Sequence, residues 1–362
     1  MKLKKITAEF EKSFPKSLAE EWDNTGLMVG EIDGEIKKVQ ISLDITDDII
    51  EKAIAEKADL IITHHPMIFR GIKSVTDENR TGKRIIKLLK NGIAVYSLHT
   101  NLDSAKEGLN QYIAEKLGMK DGIIIDKKIE KIYKAKIFIP EESVENILEK
   151  LKKSKLAVSD KYENCFYISE LKEIYTPRDG SVPYRGTNGT EEENSVKSIE
   201  FLIKEKDMRV VEDIIKKNHP YEEPAYEFTE TGKTVEVGGI GRVFELDKSM
   251  EITEFIDFLK RELNIQNIRA VFGEKESVKK IAVVNGSGAE YISKMKRLGA
   301  DVYITSDIKY HEAQAGKESG VNLIDMGHFE GEVWFAEIIK KILNKMEIEN
   351  YTFNGSPLFI TF

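Results

Sequence analysis

Apolar residues at the two ends of this chain come in short runs that alternate between strand and helix spacing, and the middle follows a different rhythm. Residues 36–45 (IKKVQISLDI) read as a strand and 47–57 as a helix capped by Thr46 or Asp47. A second apolar run leads from Ala58 to His65. The pattern then predicts a helix over 81–90 closed by Asn91-Gly92, a strand over 93–98 and a helix over 107–117. The C-terminal part repeats the style, with strands at 279–284, 301–305 and 321–326 and helices near 289–297 and 331–345. In the last helix Val333, Phe335, Ile338, Ile339 and Ile342 recur at helical spacing. Such alternation predicts an α/β layer with a mostly parallel sheet.

The middle gives a strand over 131–140, a helix over 142–152, strands at 164–168 and 198–203, a helix over 208–217 and a strand over 225–228. That order, βαββαβ, is the ferredoxin-like pattern. A polar stretch, 176–194, lies between its central strands. The predicted architecture is therefore a split α/β domain, 1–126 and 236–362, interrupted by an inserted ferredoxin-like α+β domain over 127–235. The two halves of the split domain must meet in space.

Composition narrows the function. With 362 residues, 33% charged and 41% hydrophobic, the chain is long enough for two or three packed domains. A formal net charge of -8 argues against binding nucleic acid by phosphate neutralisation. The sole cysteine, Cys165, excludes an intrachain disulfide and thiolate zinc fingers, so any metal must rest on histidines and carboxylates. The N-terminus lacks a signal peptide's apolar core, and no apolar run approaches the roughly 20 residues of a membrane span. The expected location is cytoplasmic.

His64 and His65 end the strand-like run that starts at Ala58, just before Pro66. Neighbouring side chains on a strand point to opposite faces, but proline stops the ladder, so the pair sits on a turn. There the two rings can serve one metal or one each of two. Five of the six histidines, at 64, 65, 99, 311 and 328, lie close to predicted strand ends in the split domain. Ligands in open α/β sheets gather at such ends. The third strand runs into His99 and Asp103, the fifth into Asp307 and His311, and the sixth into His328 and Glu332. His328 and Glu332 are four apart and share a helix face, whereas Glu330 points elsewhere. Imidazole with carboxylate suits zinc, iron, manganese or nickel.

Each group has a plainer reading. His99 or His311 alone is more often a hydrogen-bonded structural histidine, Asp103 and Asp307 can be helix caps, and His328 with Glu332 can be a surface pair. Three distant segments converging on one chemistry weigh against these. Asn285-Gly286-Ser287-Gly288 follows a strand but lacks a dinucleotide fingerprint, which leaves a tight turn. There is no Gly-x-Ser-x-Gly elbow, and Cys165 lies apart from the histidines. His219-Pro220-Tyr221-Glu222-Glu223 reads as a structured domain edge.

The stretches Glu21-Trp22-Asp23-Asn24-Thr25-Gly26-Leu27, Thr63-His64-His65-Pro66, His99-Thr100-Asn101-Leu102-Asp103 and Asp325-Met326-Gly327-His328 leading to Glu332, in this order, resemble the Nif-three-like (YbgI/YqfO, DUF34) family. Its members carry the label GTP cyclohydrolase I type 2 homologue. The resemblance spans essentially the whole chain, and the insert, with 219–226, resembles the CutA/PII-like domain of the longer members. Two departures stand out: the family's Thr-Gly-Asp turn reads Thr305-Ser306-Asp307, and 175–180 differs from the usual form.

The resemblance implies two divalent metal ions per chain (zinc, iron or manganese) in a toroidal homohexamer built as a trimer of dimers. It implies His65 and Asp103 on one ion, His64 and His328 on the other, Glu332 bridging, and His99 and His311 as acid/base or supporting groups. The expected function is a metal-dependent hydrolase acting on a nucleotide or related small molecule, by the family label through GTP ring opening and formate release. The alternatives are a non-enzymatic metal-binding or metal-delivery hexamer, and a nucleic-acid-threading scaffold that the negative charge disfavours.

Overall fold

The computed structural model describes residues 1–120, 122–156, 158, 161–355 and 358. The chain divides into two compact units, Met1–Lys128 with Val237–Phe362, and Ile129–Glu236. Two long strands, Ile123–Pro140 and Tyr226–Glu251, carry the backbone into and out of the second unit.

The first unit holds two sheets, where a single one was expected from the alternation. In the five-stranded sheet, Glu349–Thr352, Lys38–Ser42, Leu60–Thr63 and Ala94–Ser97 run parallel, and Gly26–Val29 closes one edge antiparallel. In the other, Ser277–Ser287, Val302–Ser306 and Asn322–Asp325 run parallel between antiparallel neighbours, the C-terminal part of Tyr226–Glu251 and Arg269–Val271. The inner strands of both sheets are buried on both faces. In Leu60–Thr63, Leu60 and Ile62 face one core while Ile61 faces another, as expected of strands covered on both sides. The main core lies between the sheets and joins both parts of the unit: Phe10 and Ile113 meet Phe255, Ile304 and Phe335.

Helix and strand bounds follow local chemistry. Asn79 caps the helix Arg80–Lys90 by accepting from the Gly82 N–H at 2.8 Å. The helix Asp47–Ala55 lacks the expected side-chain cap, because the Thr46 hydroxyl turns to Asp48 instead of a backbone N–H. The helix expected over 331–345 is two pieces, His328–Glu332 and Phe335–Lys345. The break lets His328 and Glu332 face the site while Phe335 and Ile339 enter the core.

The second unit has the strand order Tyr167–Tyr175, Glu192–Lys204, Ile123–Pro140, Tyr226–Glu251, with the helices Val144–Lys153 and Met208–Asn218 packed over it. Sequential strands in spatial order 2-3-1-4 make a ferredoxin-like sheet. Its central hairpin is longer than the apolar runs suggested, since Ser169–Tyr175 pairs with Glu192–Ser198 although both segments are mostly polar.

Candidate metal centre

The parallel strands of the five-stranded sheet end side by side, and the residues just past their ends converge. Leu60–Thr63 lies between Lys38–Ser42 and Ala94–Ser97, so the side chains of the turn after it meet both neighbours. His64 turns toward one side: its Nδ1–H donates to the Leu98 carbonyl at 2.8 Å. His65 turns toward the other, with Nδ1 2.7 Å from Asp44 Oδ1.

His64 is fully buried, and its Nε2 has no hydrogen-bond partner. A buried polar atom left unpaired is costly. Facing it are Asp103 Oδ1 at 3.6 Å and Glu332 Oε1 at 3.7 Å. These separations are too long for hydrogen bonds. They match the spacing of two ligands around one ion at bond lengths of about 2.1 Å, roughly 3.4 Å for tetrahedral geometry.

Glu332 turns its second oxygen to two other imidazoles. Oε2 lies 2.8 Å from His65 Nε2 and 2.9 Å from His328 Nε2, and those two nitrogens stand 3.2 Å apart. His328 Nδ1 is held by Asp307 Oδ2 at 2.7 Å. A carboxylate behind an imidazole, as Asp44 stands behind His65 and Asp307 behind His328, fixes its tautomer and raises its basicity. His99 completes the row, with Nδ1 2.7 Å from Asp23 Oδ1 and its ring centroid 5.3 Å from that of His64. Two groups stand close enough to share an ion among the described residues: His64, His65 and His99, and His65, His328 and Glu332.

The electrostatics of the cluster favour positive charge on its imidazoles. Burial pulls the His65 imidazole down, but Asp44 and Glu332 outweigh it and lift its pKa to about 10. The Glu332 hydrogen bond raises that of His328 to about 9 against burial. Burial also opposes charge on His64, and Asp103 and Glu332 overcome it. Burial pushes Glu332 up, yet three imidazoles hold it well below the usual carboxylate range. Protons and metal ions compete for such nitrogens.

The geometry regroups the residues. The resemblance places His65 with Asp103 and His64 with His328. Here His64 faces Asp103, and His65 stands beside His328, because the two rings diverge toward opposite neighbouring strands. His311 does not join the cluster: it is exposed in the first turn of Tyr310–Ser319, against the Tyr310 ring. Neither aspartate caps a helix. Asp103 lies inside the short helix Thr100–Ser104 and accepts from Asn285 Nδ2 at 2.9 Å, while Lys309 takes the cap position beyond Asp307.

Several contributors escaped the sequence reading. Asp44 follows a strand end just as the histidines do, and that position was the available signal. Asn285 and Gly286 were expected in a tight turn, but the strand continues to Ser287 through an irregular register. Gly286 has φ +64°, and a Cβ there would lie 2.2 Å from Glu332 Oε1. Asn110 ties the parts together, accepting from the Asn285 N–H at 2.9 Å and donating to the Asp103 carbonyl at 3.2 Å.

The chain is similar to known proteins over nearly its whole length. The family model Duf34/NIF3 (NGG1p interacting factor 3) matches residues 1–359. A Staphylococcus epidermidis protein called GTP cyclohydrolase 1 type 2 homolog is 35% identical over 345 residues, 95% of this chain and 93% of its own. A Bacillus cereus protein described as related to NIF3 has a solved structure that superposes with a TM-score of 0.84 at 31% identity, covering 99% of this chain and 98% of its own. The Staphylococcus aureus protein SA1388 superposes with a TM-score of 0.77 at 34% identity, over 100% of this chain and 99% of its own.

Proposed function

The chain belongs to the Duf34/NIF3 family, and on that footing we propose that it is a dinuclear metal protein acting as a metal-dependent hydrolase on a nucleotide or related small molecule. The observation that carries the reading is Glu332. One carboxylate oxygen faces the unpaired His64 Nε2 and Asp103; the other faces His65 and His328. A carboxylate shared in this way suits the bridge between two ions, His64 and Asp103 holding one, His65 and His328 the other. Ligands of this type accept zinc, iron or manganese. Such ions lower the pKa of bound water to about 7 and polarise oxygen atoms of a substrate.

The protein's own groups supply orientation and proton traffic. Asp44, Asp307 and the Leu98 carbonyl hold three imidazoles by Nδ1, so that each Nε2 points inward. His99 is 15% exposed at the side chain and oriented by Asp23, which places it to move protons at the edge of the cluster. His311 takes no part in this reading. The printed name of the Staphylococcus epidermidis relative points to GTP as the first substrate to try. The ferredoxin-like unit is read as a CutA/PII-like assembly module of a homohexamer.

Metal analysis after chelator-free purification tests the site. About two ions per chain are expected, lost in His65→Ala and retained in His219→Ala. Full metal content in His65→Ala would falsify it. Incubating the loaded protein with GTP and measuring formate tests the chemistry. A metal-replete protein that releases none, and turns over no nucleotide in a wider screen, favours the metal-binding or metal-delivery alternative.

A further inference from the structure

Trp22 is 60% exposed and Phe69 44%, and the two exposed rings stand side by side. Their ring centroids are 5.8 Å apart, and Trp22 stands edge-on to His99 at 6.1 Å and 75°. His99 in turn lies 5.3 Å from His64 and 5.7 Å from His65. Phe69, Trp22 and His99 thus form a row of rings that ends on the metal-binding cluster.

Trp22 is also held in place. Its neighbour Asp23 spends both carboxylate oxygens on the residues at the end of the strand Ala94–Ser97: Oδ1 on His99 Nδ1, and Oδ2 on the Thr100 N–H at 3.1 Å and its hydroxyl at 2.5 Å. On the other side Asn24 Nδ2 donates to the Ile68 carbonyl at 2.5 Å, which fastens the segment to the loop that bears Phe69. Arg70 and Lys73, on the same loop, are exposed and have no acidic partner among the described residues.

We infer that the face of Trp22, with the Phe69 ring inclined at 55° beside it, forms a stacking shelf for the planar heteroaromatic ring of an anionic ligand, a nucleotide in chemical class, and that this shelf presents the ring to the metal cluster. Stacking is tolerant of ring identity because every base has a π-face. The shelf therefore provides affinity for a flat ring, and the groups near the metals discriminate among rings. The inference rests on the small-molecule reading above, but it concerns different residues.

The test is equilibrium dialysis of the metal-loaded full chain against guanosine 5′-monophosphate, with ribose 5-phosphate as the ring-less control. Wild-type protein should bind the nucleotide well and the sugar phosphate at least tenfold more weakly. Trp22→Ala should lose roughly 5- to 150-fold in nucleotide affinity, with metal content and melting temperature unchanged, and Trp22→Phe should recover most of it. Equal binding by Trp22→Ala and wild type overturns the shelf, as does equal binding of nucleotide and sugar phosphate, or no nucleotide binding by wild type. A Trp22→Ala protein that elutes as a smaller assembly also overturns it, since a second copy would then cover the ring. In all of these cases an intact metal content leaves the metal site standing.

Discussion

At the scale of single residues, the site depends on atoms that are not ligands. Asp44 steadies His65 from behind, so Asp44→Asn keeps the shape but loses the charge. We expect a 10- to 100-fold drop in affinity for the ion beside His65, measured by chelator competition. Gly286 makes a sharper case. Alanine there would occupy left-handed backbone, costing about 1–2 kcal/mol, and would push against Glu332. Gly286→Ala should lower both metal content and melting temperature, whereas alanine at the exposed, uncrowded Gly71 should change neither. These two residues mark the limit of sequence reading. The imidazoles and Asp103 were legible because each follows an apolar run, and Asp44 obeys the same rule. Gly286 was not legible, since its importance comes from Glu332, which approaches from another segment.

At the scale of elements, strand edges and helix ends decide what holds. Arg242 is almost fully buried in Tyr226–Glu251 and donates to the carbonyls of Gly239, Gly241, Ala105 and Lys106 at 2.7–3.1 Å. It ties that strand to the turn after the helix Thr100–Ser104, and so steadies Asp103. Arg242→Met strands those carbonyls and should cost about 3 kcal/mol or more in urea unfolding. Nothing in the pattern signalled this, because an arginine in an alternating strand reads as exposed.

The helix Met208–Asn218 ends at His219, whose Nε2–H donates to the Phe138 carbonyl at 2.8 Å while Nδ1 accepts from the Tyr221 N–H at 3.1 Å. Burial holds its pKa below the ordinary 6.5, with Phe138 and Glu173 opposing more weakly. As pH falls the unfolded chain takes up the proton first, so this contribution to stability is full above about pH 6.5 and is lost as pH drops below it. Acid unfolding of wild type and His219→Gln should diverge at neutral pH and converge as pH falls below about 6.5.

At the scale of the whole molecule, an ion held by this cluster would cross-link distant parts of the chain. Asp103 lies before the inserted unit, and His328 and Glu332 lie after it. An ion bound only by the folded state stabilises it by about 2.7 kcal/mol at a hundredfold excess over the dissociation constant. Dialysis against chelator should therefore lower the melting temperature of wild type, and zinc or manganese should restore it. The His65→Ala protein should respond much less to either. The α/β character and the inserted ferredoxin-like order were visible in the spacing of apolar residues. The separation into two sheets was not, because strands apolar on both faces do not record which neighbour covers them.

The placement of Glu332 has a consequence for synthesis. The ribosome makes the His64-His65 pair and Asp103 first, then the whole of Ile129–Glu236, and only then the carboxylate that completes the cluster. At about 5–20 residues per second the interval between Asp103 and Glu332 is roughly 10–45 seconds. Within that interval the inserted unit acquires its full sequence, while the paired imidazoles still lack Glu332. If the cluster holds metal as proposed, loading at the complete cluster follows synthesis of Glu332, in an order set by translation.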